Sequence, residues 1–167
     1  MDDKDRILLT ILEDDSNIPV RNLSEMADLS EEEVATRIRI LEEQGVIRKY
    51  RAVVDWEQAG EPEVAAIIEL KVSPERDFGY DKIAERIARF SQVRSIRLIS
   101  GVYDLQVMVV GSNIHEITSF VAEQIAPMDH IRETATILIM KTYKENGHTF
   151  FERGEATAFP FHSDVIP

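Results

Sequence analysis

The chain has 167 residues, 44% of them hydrophobic, and 31 Asp and Glu against 19 Lys and Arg give it a formal charge of −12. That length builds one or two small domains with real cores; no apolar run nears the roughly 18 residues that cross a bilayer, so no membrane partner is expected. The absence of cysteine excludes disulfides and thiolate metal sites, and the acidic, amphipathic opening MDDKDRILLTILEDD is unlike a secretion signal, so the expected location is the cytoplasm.

An acidic chain is a poor general ligand for nucleic acid, because phosphate contacts need cations. Residues 1–60 carry 8 Lys and Arg against 15 Asp and Glu, and residues 61–167 carry 11 against 16. Within the first part the cations cluster at Arg37 and Arg39, then at Arg48, Lys49 and Arg51. A local basic edge on an acidic body binds DNA with steep salt dependence.

In chain order, residues 5–14 carry Ile7, Leu8, Ile11 and Leu12 on one helical stripe. Ile18-Pro19-Val20 reads as an extended connection, since proline biases its predecessor away from helix. A short helix over 23–27 enters a tight turn at Asp28-Leu29. Ser30 and Glu33 have the spacing of a capping box at the start of a second helix. Val34, Ile38 and Leu41 give that helix an apolar stripe. Gly45 stands where a left-handed C-cap wants glycine. Val46-Ile47 and Ala52-Val53-Val54 read as two short strands around the basic turn. A short helix, a tight turn and a solvent-presenting helix form a DNA-reading unit, here predicted with a wing.

Gly60 and Pro62 mark the domain boundary. Beyond it the pattern alternates: a strand over 64–72, a helix over 80–90, a strand over 93–99, and an almost wholly apolar, hence central, strand over 105–110. A helix capped by Ser112 or Asn113 comes next, and then a long strand over 131–143. The predicted fold class is α+β: an N-terminal winged helix-turn-helix plus a C-terminal ferredoxin-like βαββαβ domain, one sheet with two helices on one face. The predicted divisions are 1–50 for the winged unit, 51–63 for a linking strand and hinge, 64–144 for the second domain, and 145–167 for a C-terminal extension. The other sheet face is too apolar to stay bare, which implies self-association.

This order of parts resembles the Lrp/AsnC (feast/famine) family of bacterial and archaeal transcription regulators, over residues 2 to about 144. The family's LS-x-x-x-V-x-x-R-I-x-x-L-E-x-x-G-V-I is met at Leu29, Ser30, Val34, Arg37, Ile38, Leu41, Glu42, Gly45, Val46 and Ile47. Its G-x-[YF]-D is met at Gly101, Tyr103 and Asp104, within ISGVYDLQVMVV. The resemblance implies a DNA-binding regulator, not an enzyme. It also implies a homo-oligomer, a dimer with an octamer as the expected higher form, and a small amino-acid effector bound between regulatory domains near the glycine–aspartate turn. No cofactor is implied.

Two features depart from the family. Glu31, Glu32 and Glu33 come after Ser30, where small or polar residues are usual. Carboxylates there suit the helix dipole, or accept from cytosine amino groups, or mark weakened DNA binding. The second departure is the extension, whose Phe150, Phe151, Phe159 and Phe161 are unusual for a disordered tail and are expected to dock on a neighbouring subunit.

The candidate DNA-binding residues are Ser30, Glu32, Thr36, Arg37, Arg39, Arg48, Lys49 and Arg51. Arg37 lies nearer the buried stripe and has a structural alternative; Arg39 has one in an i, i+4 pair with Glu43. The candidate effector-binding residues are Ser100, Gly101, Tyr103, Asp104, Thr134 and Thr136. Here Gly101 admits the ligand to backbone, Asp104 faces an α-ammonium, and the threonines offer hydroxyls. Glycine and aspartate also suit a plain hairpin turn, and threonine suits a plain strand. His115, His130, His148 and His162 lack metal-ligand spacing. A competing reading is an effector-binding module that has lost DNA binding. An enzymatic reading, after a related branch that decarboxylates tetrapyrroles, ranks last, because AVVDWEQAG lacks that branch's histidine.

Overall fold

The computed structural model describes residues 1–74 and 79–151. They form two compact units: Met1–Val54 with Lys144–Thr149, and Asp55–Tyr143 with Phe150 and Phe151.

The first unit is built on α1 (Asp3–Asp14), α2 (Val20–Ala27) and α3 (Glu31–Glu43). Leu8, Leu23, Ala27 and Val34 form its buried centre, flanked by Ile11, Leu12, Ile18, Leu29 and Ile38. These residues come from all three helices, so none can bury its stripe alone. α1 opens on a reciprocal capping box: Asp5 N–H donates to Asp2 at 2.9 Å and Asp2 N–H to Asp5 at 2.9 Å. The predicted extended connection at 18–20 is shorter than expected, because α2 begins at Val20 directly after Pro19. Proline at φ −59° needs no N–H, and its carbonyl accepts from Asn22 and Leu23.

Asp28 makes the turn between α2 and α3 at φ 53°, ψ 58°, a left-handed conformation that aspartate tolerates. Lys4 steadies it: its ammonium donates to the Ala27 carbonyl at 2.6 Å and the Asp28 carbonyl at 3.3 Å. Ser30 Oγ caps α3 by accepting from Glu33 N–H at 3.2 Å. The other half of the predicted box is not made, because the Glu33 carboxylate turns to Arg37. Gly45, at φ 69°, closes α3 with the paired bonds of a Schellman motif, Gly45 N–H to Glu42 O and Val46 N–H to Leu41 O, both 2.9 Å.

The predicted wing strands do not form. The Val46 and Ile47 amides both donate to the Leu41 carbonyl, so neither is free for a ladder. Val53 and Val54 are correspondingly exposed.

The second unit is an antiparallel sheet of β1 (Val64–Val72), β2 (Val93–Leu98), β3 (Leu105–Gly111) and β4 (Ile131–Ile139), in the order β2-β3-β1-β4. β3 pairs on both sides, as its apolar run predicts. α4 (Asp81–Ala88) and α5 (Ile114–Phe120), which continues as a π-helical turn over Val121–Ile125, give the βαββαβ order. Asn113 caps α5 at 2.9 Å, and the Glu116 carboxylate takes the Ser112 amide at 2.8 Å. One sheet face packs Ala66, Ile68, Leu70, Leu105, Val107 and Val109 against Ile83, Ile87, Ile117 and Ile125. On the opposite face, register aligns Ile67 with Met108 and Ile137, and Ala65 with Val110 and Ile139. β4 stops at Ile139, short of the predicted Tyr143, because Ala65↔Ile139 is the last pair β1 offers. The small hairpin of β5 (Lys144–Glu145) and β6 (His148–Thr149), next in the chain, belongs to the first unit. Its Asn146-Gly147 turn has φ of 47° and 84°, the positive pair a type I′ turn needs.

Ile68 is 1% exposed and packs at the centre of the second unit. Ile68→Ala is expected to cost about 2–5 kcal/mol of stability in denaturant titration. Its strand neighbour Glu69→Ala should change stability by less than about 0.5 kcal/mol.

Candidate functional site

α3 is the second helix of the predicted helix-turn-helix pair. Its buried side is Val34 and Leu41; its exposed side presents Glu31, Glu32, Ala35, Thr36, Arg39 and Glu43. Ser30 caps the helix start and is itself exposed. Arg39 is two-thirds exposed and loosely paired with Glu43 at 3.4 Å, an exposed i, i+4 pair of small energetic weight.

Arg37 is placed differently. Nη1 donates to Asp2 Oδ2 and Asp5 Oδ1, both at 2.8 Å, and Nε and Nη2 reach Glu33 Oε1 at 3.1 and 2.9 Å. The three carboxylates raise the guanidinium pKa. The bonds donated to Asp2 and Asp5, by backbone first and by Arg37 second, hold both carboxyls below the usual range. Carboxylates thus engage four of the five guanidinium N–H donors of Arg37. The α1 carboxylates that hold it are partners the helical wheel of α3 cannot reveal.

Arg48, Lys49 and Arg51 lie after α3 on an exposed segment. Among the described residues, no carboxylate lies within ion-pairing distance of any of the three. Tyr50 fixes this segment to the helix, donating its hydroxyl to Glu42 at 2.8 Å. Burial, then that bond, push the phenol up to about 12. Sequence reading missed Tyr50; the eight-residue gap to Glu42 spans a helix end and carries no periodic signal.

In the second unit the β2–β3 connection carries Ser100, Gly101, Val102, Tyr103 and Asp104. Ser100 and Val102 are exposed, and a Cβ on Gly101 would meet open space. Asp104 is engaged by its own sheet. Oδ2 accepts from Val72 N–H at 2.9 Å and Oδ1 lies 3.4 Å from the Lys71 ammonium. The Val72 bond is the first cause of its lowered pKa, with Lys71 and the Tyr80 hydroxyl adding to it. β1 shifts register between Lys71 and Val72, and the Asp104 side chain satisfies the amide freed there. The Lys71 ammonium also donates to the Val102 carbonyl at 2.7 Å, so one lysine ties the turn to β1. Thr134 and Thr136 pair with Leu70 and Ile68 and share their helix-covered side of the sheet. Thr134 is separated from Leu105 by β1, two strand spacings or about 9.5 Å. Within one chain the threonines and the turn do not converge.

Among the described residues no group of His, Asp or Glu could hold a metal ion, and no helix is long and apolar enough to cross a membrane. His162, Phe159 and Phe161 lie outside the described residues.

Asp2, Asp5 and Asp104 have lowered pKa values. Their contribution to stability is therefore present above the ordinary carboxylate value of 3.8 and is lost as pH falls through their lowered ones. Thermal melts of the first unit's helices between pH 7 and pH 2 should lose stability less steeply in Asp5→Asn than in the unaltered chain. Equal slopes would contradict the network.

Comparison with known proteins agrees with this geometry. Residues 1–42 match the model of the AsnC-type helix-turn-helix domain, and residues 65–149 match that of the Lrp/AsnC ligand binding domain. An uncharacterized HTH-type transcriptional regulator of Bacillus subtilis is 38% identical over 89% of this chain and 90% of its own length. An HTH-type transcriptional regulator of Pyrococcus horikoshii is 30% identical over 87% and 93%. Among solved structures, an AsnC family transcriptional regulator from Agrobacterium tumefaciens has a TM-score of 0.70 at 28% identity, covering 87% of this chain and 94% of that one. A Neisseria meningitidis transcriptional regulator in complex with L-Met shares the fold, with a TM-score of 0.70 at 21% identity, covering 89% and 94%. The chain belongs to the Lrp/AsnC family of HTH-type transcriptional regulators, which are DNA-binding proteins with a ligand-binding domain and not enzymes.

Proposed function

We propose that this regulator contacts double-stranded DNA through the exposed side of α3 and through the segment just after it, and that an amino acid bound at the β2–β3 turn modulates this. The observation that carries the reading is the arrangement of Arg48, Lys49 and Arg51. They are exposed cations without an ion-pair partner among the described residues, on a segment after α3 anchored by Tyr50 to Glu42. A net-negative protein needs such a local cation edge to approach phosphate. Arg39 and Thr36 are the base-reading candidates, with Glu32 suited to a cytosine amino group. Ser30 lies at the helix start, where hydroxyl and backbone N–H groups meet phosphate. Arg37 is a positioning residue that holds α3 on α1. A protein with these contacts acts where the chromosome is, in the cytoplasm.

The exposed Glu31, Glu32 and Glu43 on the same helix favour a second reading, an effector-binding module with weakened DNA binding. The two differ in one measurable consequence, saturable binding at low salt.

For the effector, the ligand-binding domain match and the L-Met complex of the Neisseria fold neighbour support an amino acid. The turn offers Ser100, the Gly101 backbone and Tyr103. Asp104 acts by holding the turn to β1, since both its oxygens already have partners. A homo-oligomer is supported by the apolar row of Ile67, Met108, Val110 and Ile137 on the open sheet face, where Ile137 is exposed and the other three are half-buried. A dimer covers that row, and an octamer is the expected higher form.

Arg39→Ala should alter the preferred operator sequence. Lys49→Ala should weaken all DNA alike and lower the salt slope by about 1. A uniform loss from both would leave Arg39 as a phosphate contact only. In calorimetry with a panel of amino acids, Gly101→Val should abolish the heat of the ligand that binds the unaltered protein. Retained binding would move the effector site away from this turn.

A further inference from the structure

The turn of the β5–β6 hairpin sets a side-chain amide beside a neighbour that does not crowd it. Asn146 and Gly147 make this turn at φ 47° and 84°. Both are exposed, as are the four strand residues around them, and a Cβ on Gly147 would meet open space. The ladder behind the turn is two pairs long, Lys144 with Thr149 and Glu145 with His148. A hairpin of that size is marginal in water and opens at low free-energy cost. The chain has three other asparagines, and each precedes a branched side chain: Asn17 before Ile18, Asn22 before Leu23 and Asn113 before Ile114. Asn22 lies within α2, and the Asn113 side chain is held in the cap of α5, accepting from Glu116 N–H at 2.9 Å.

We propose that Asn146 is a site of spontaneous covalent modification, at which the main-chain nitrogen of Gly147 displaces the side-chain amide. That nitrogen gives its proton to hydroxide and bonds to Asn146 Cγ. The Cγ–Nδ2 bond breaks, ammonia leaves with a proton from water, and a five-membered succinimide closes. Water then opens the ring. Breaking the bond from nitrogen to Cγ gives aspartate; breaking the bond from nitrogen to the main-chain carbonyl carbon gives isoaspartate, whose backbone runs through the side chain. Amide and water become acid and ammonia, and nothing is oxidised or reduced. The turn must leave its positive-φ form to bring nitrogen to Cγ. Glycine accepts that change without steric cost, and two exposed pairs oppose it weakly. At Asn17, Asn22 and Asn113 the following side chain crowds the attacking nitrogen, and for the last two a helix or a cap holds the geometry. The product adds a carboxylate to the first unit. Isoaspartate also lengthens the main chain by a methylene, so the two-residue turn no longer fits its strands.

The other three asparagines are the internal references for the test. The full chain, and a free peptide of sequence KENGHT, are incubated at neutral and at mildly alkaline pH. The amide-to-acid mass gain at each asparagine is followed by peptide mass spectrometry, and isoaspartate is scored by enzymatic methyl transfer from S-adenosylmethionine. The expected result is that Asn146 converts many-fold faster than Asn17, Asn22 and Asn113, within a few-fold of the free peptide, faster at the higher pH, and with isoaspartate among the products. Asn146→Gln, which would have to close a larger ring, should remove the conversion at this position. Gly147→Ala should slow it, with the melting temperature showing that the protein is folded. Three results would each overturn the proposal: Asn146 converting no faster than the other asparagines, conversion in the folded chain far below that of the peptide, or an unchanged rate in Gly147→Ala. The second would mean that the hairpin protects its turn, and the third that water attacks the amide directly. None of these outcomes depends on DNA or effector binding.

Discussion

The guanidinium of Arg37 sits among Asp2, Asp5 and Glu33, and the first unit's division of labour stems from that placement. The carboxylates at the start of α1 are turned inward to a cation, so the acidic opening of the chain becomes scaffold. α3 is fixed to α1 near its middle, between the buried Val34 and Leu41. Its remaining cation, Arg39, and the cations beyond Gly45 are left for solvent. A chain carrying −12 overall thereby keeps a small basic edge beside α3. The clamp adds geometry more than raw stability, since exposed ion pairs contribute little; Leu8, Leu23 and Val34 supply the burial.

The second unit solves a parallel problem with the opposite sign of partner. Asp104 closes the bulge in β1 and Lys71 holds the turn by its Val102 carbonyl. The turn is therefore shaped before any ligand arrives, and the ordering cost of binding is reduced. Its exposed members, Ser100, Gly101 and Val102, face solvent on a rigid base. The same sheet leaves one face apolar. The proposed effector turn and the proposed self-association face thus belong to one sheet; an effector shifts an oligomer only if it binds two arrangements with different affinity.

Much of this was legible in the amino-acid order. The stripe Val34, Ile38, Leu41 located α3, Gly45 its end, and the period-2 alternation of Ile68, Leu70 and Val72 the first strand. Pattern failed where long-range or backbone partners decide. Val46 and Ile47 read as a strand, but the closure of α3 takes their amides. Ile131 to Tyr143 read as one strand, but β1 runs out of pairs at Ile139. Arg37 read as either a DNA contact or a structural residue, because two of its three carboxylate partners lie more than thirty positions upstream. Asp104 read as an effector contact or a plain turn residue; the Val72 amide it accepts from lies at a register shift that local pattern does not report. Local pattern reports periodicity and caps; it does not report which donor a distant carboxylate meets.

Three cations beside a fixed reading helix are, in this scheme, enough for an acidic protein to hold DNA. Fluorescence anisotropy on the DNA upstream of the protein's own gene, titrated over a series of salt concentrations, tests this without intermediaries. Saturable binding that survives nonspecific competitor is expected. The slope of log affinity against log salt should be about −3 per DNA-binding head, roughly one per phosphate neutralised by Arg48, Lys49 and Arg51. Absence of binding at low salt, in protein shown to be folded, would contradict the scheme and leave the effector domain as the seat of function.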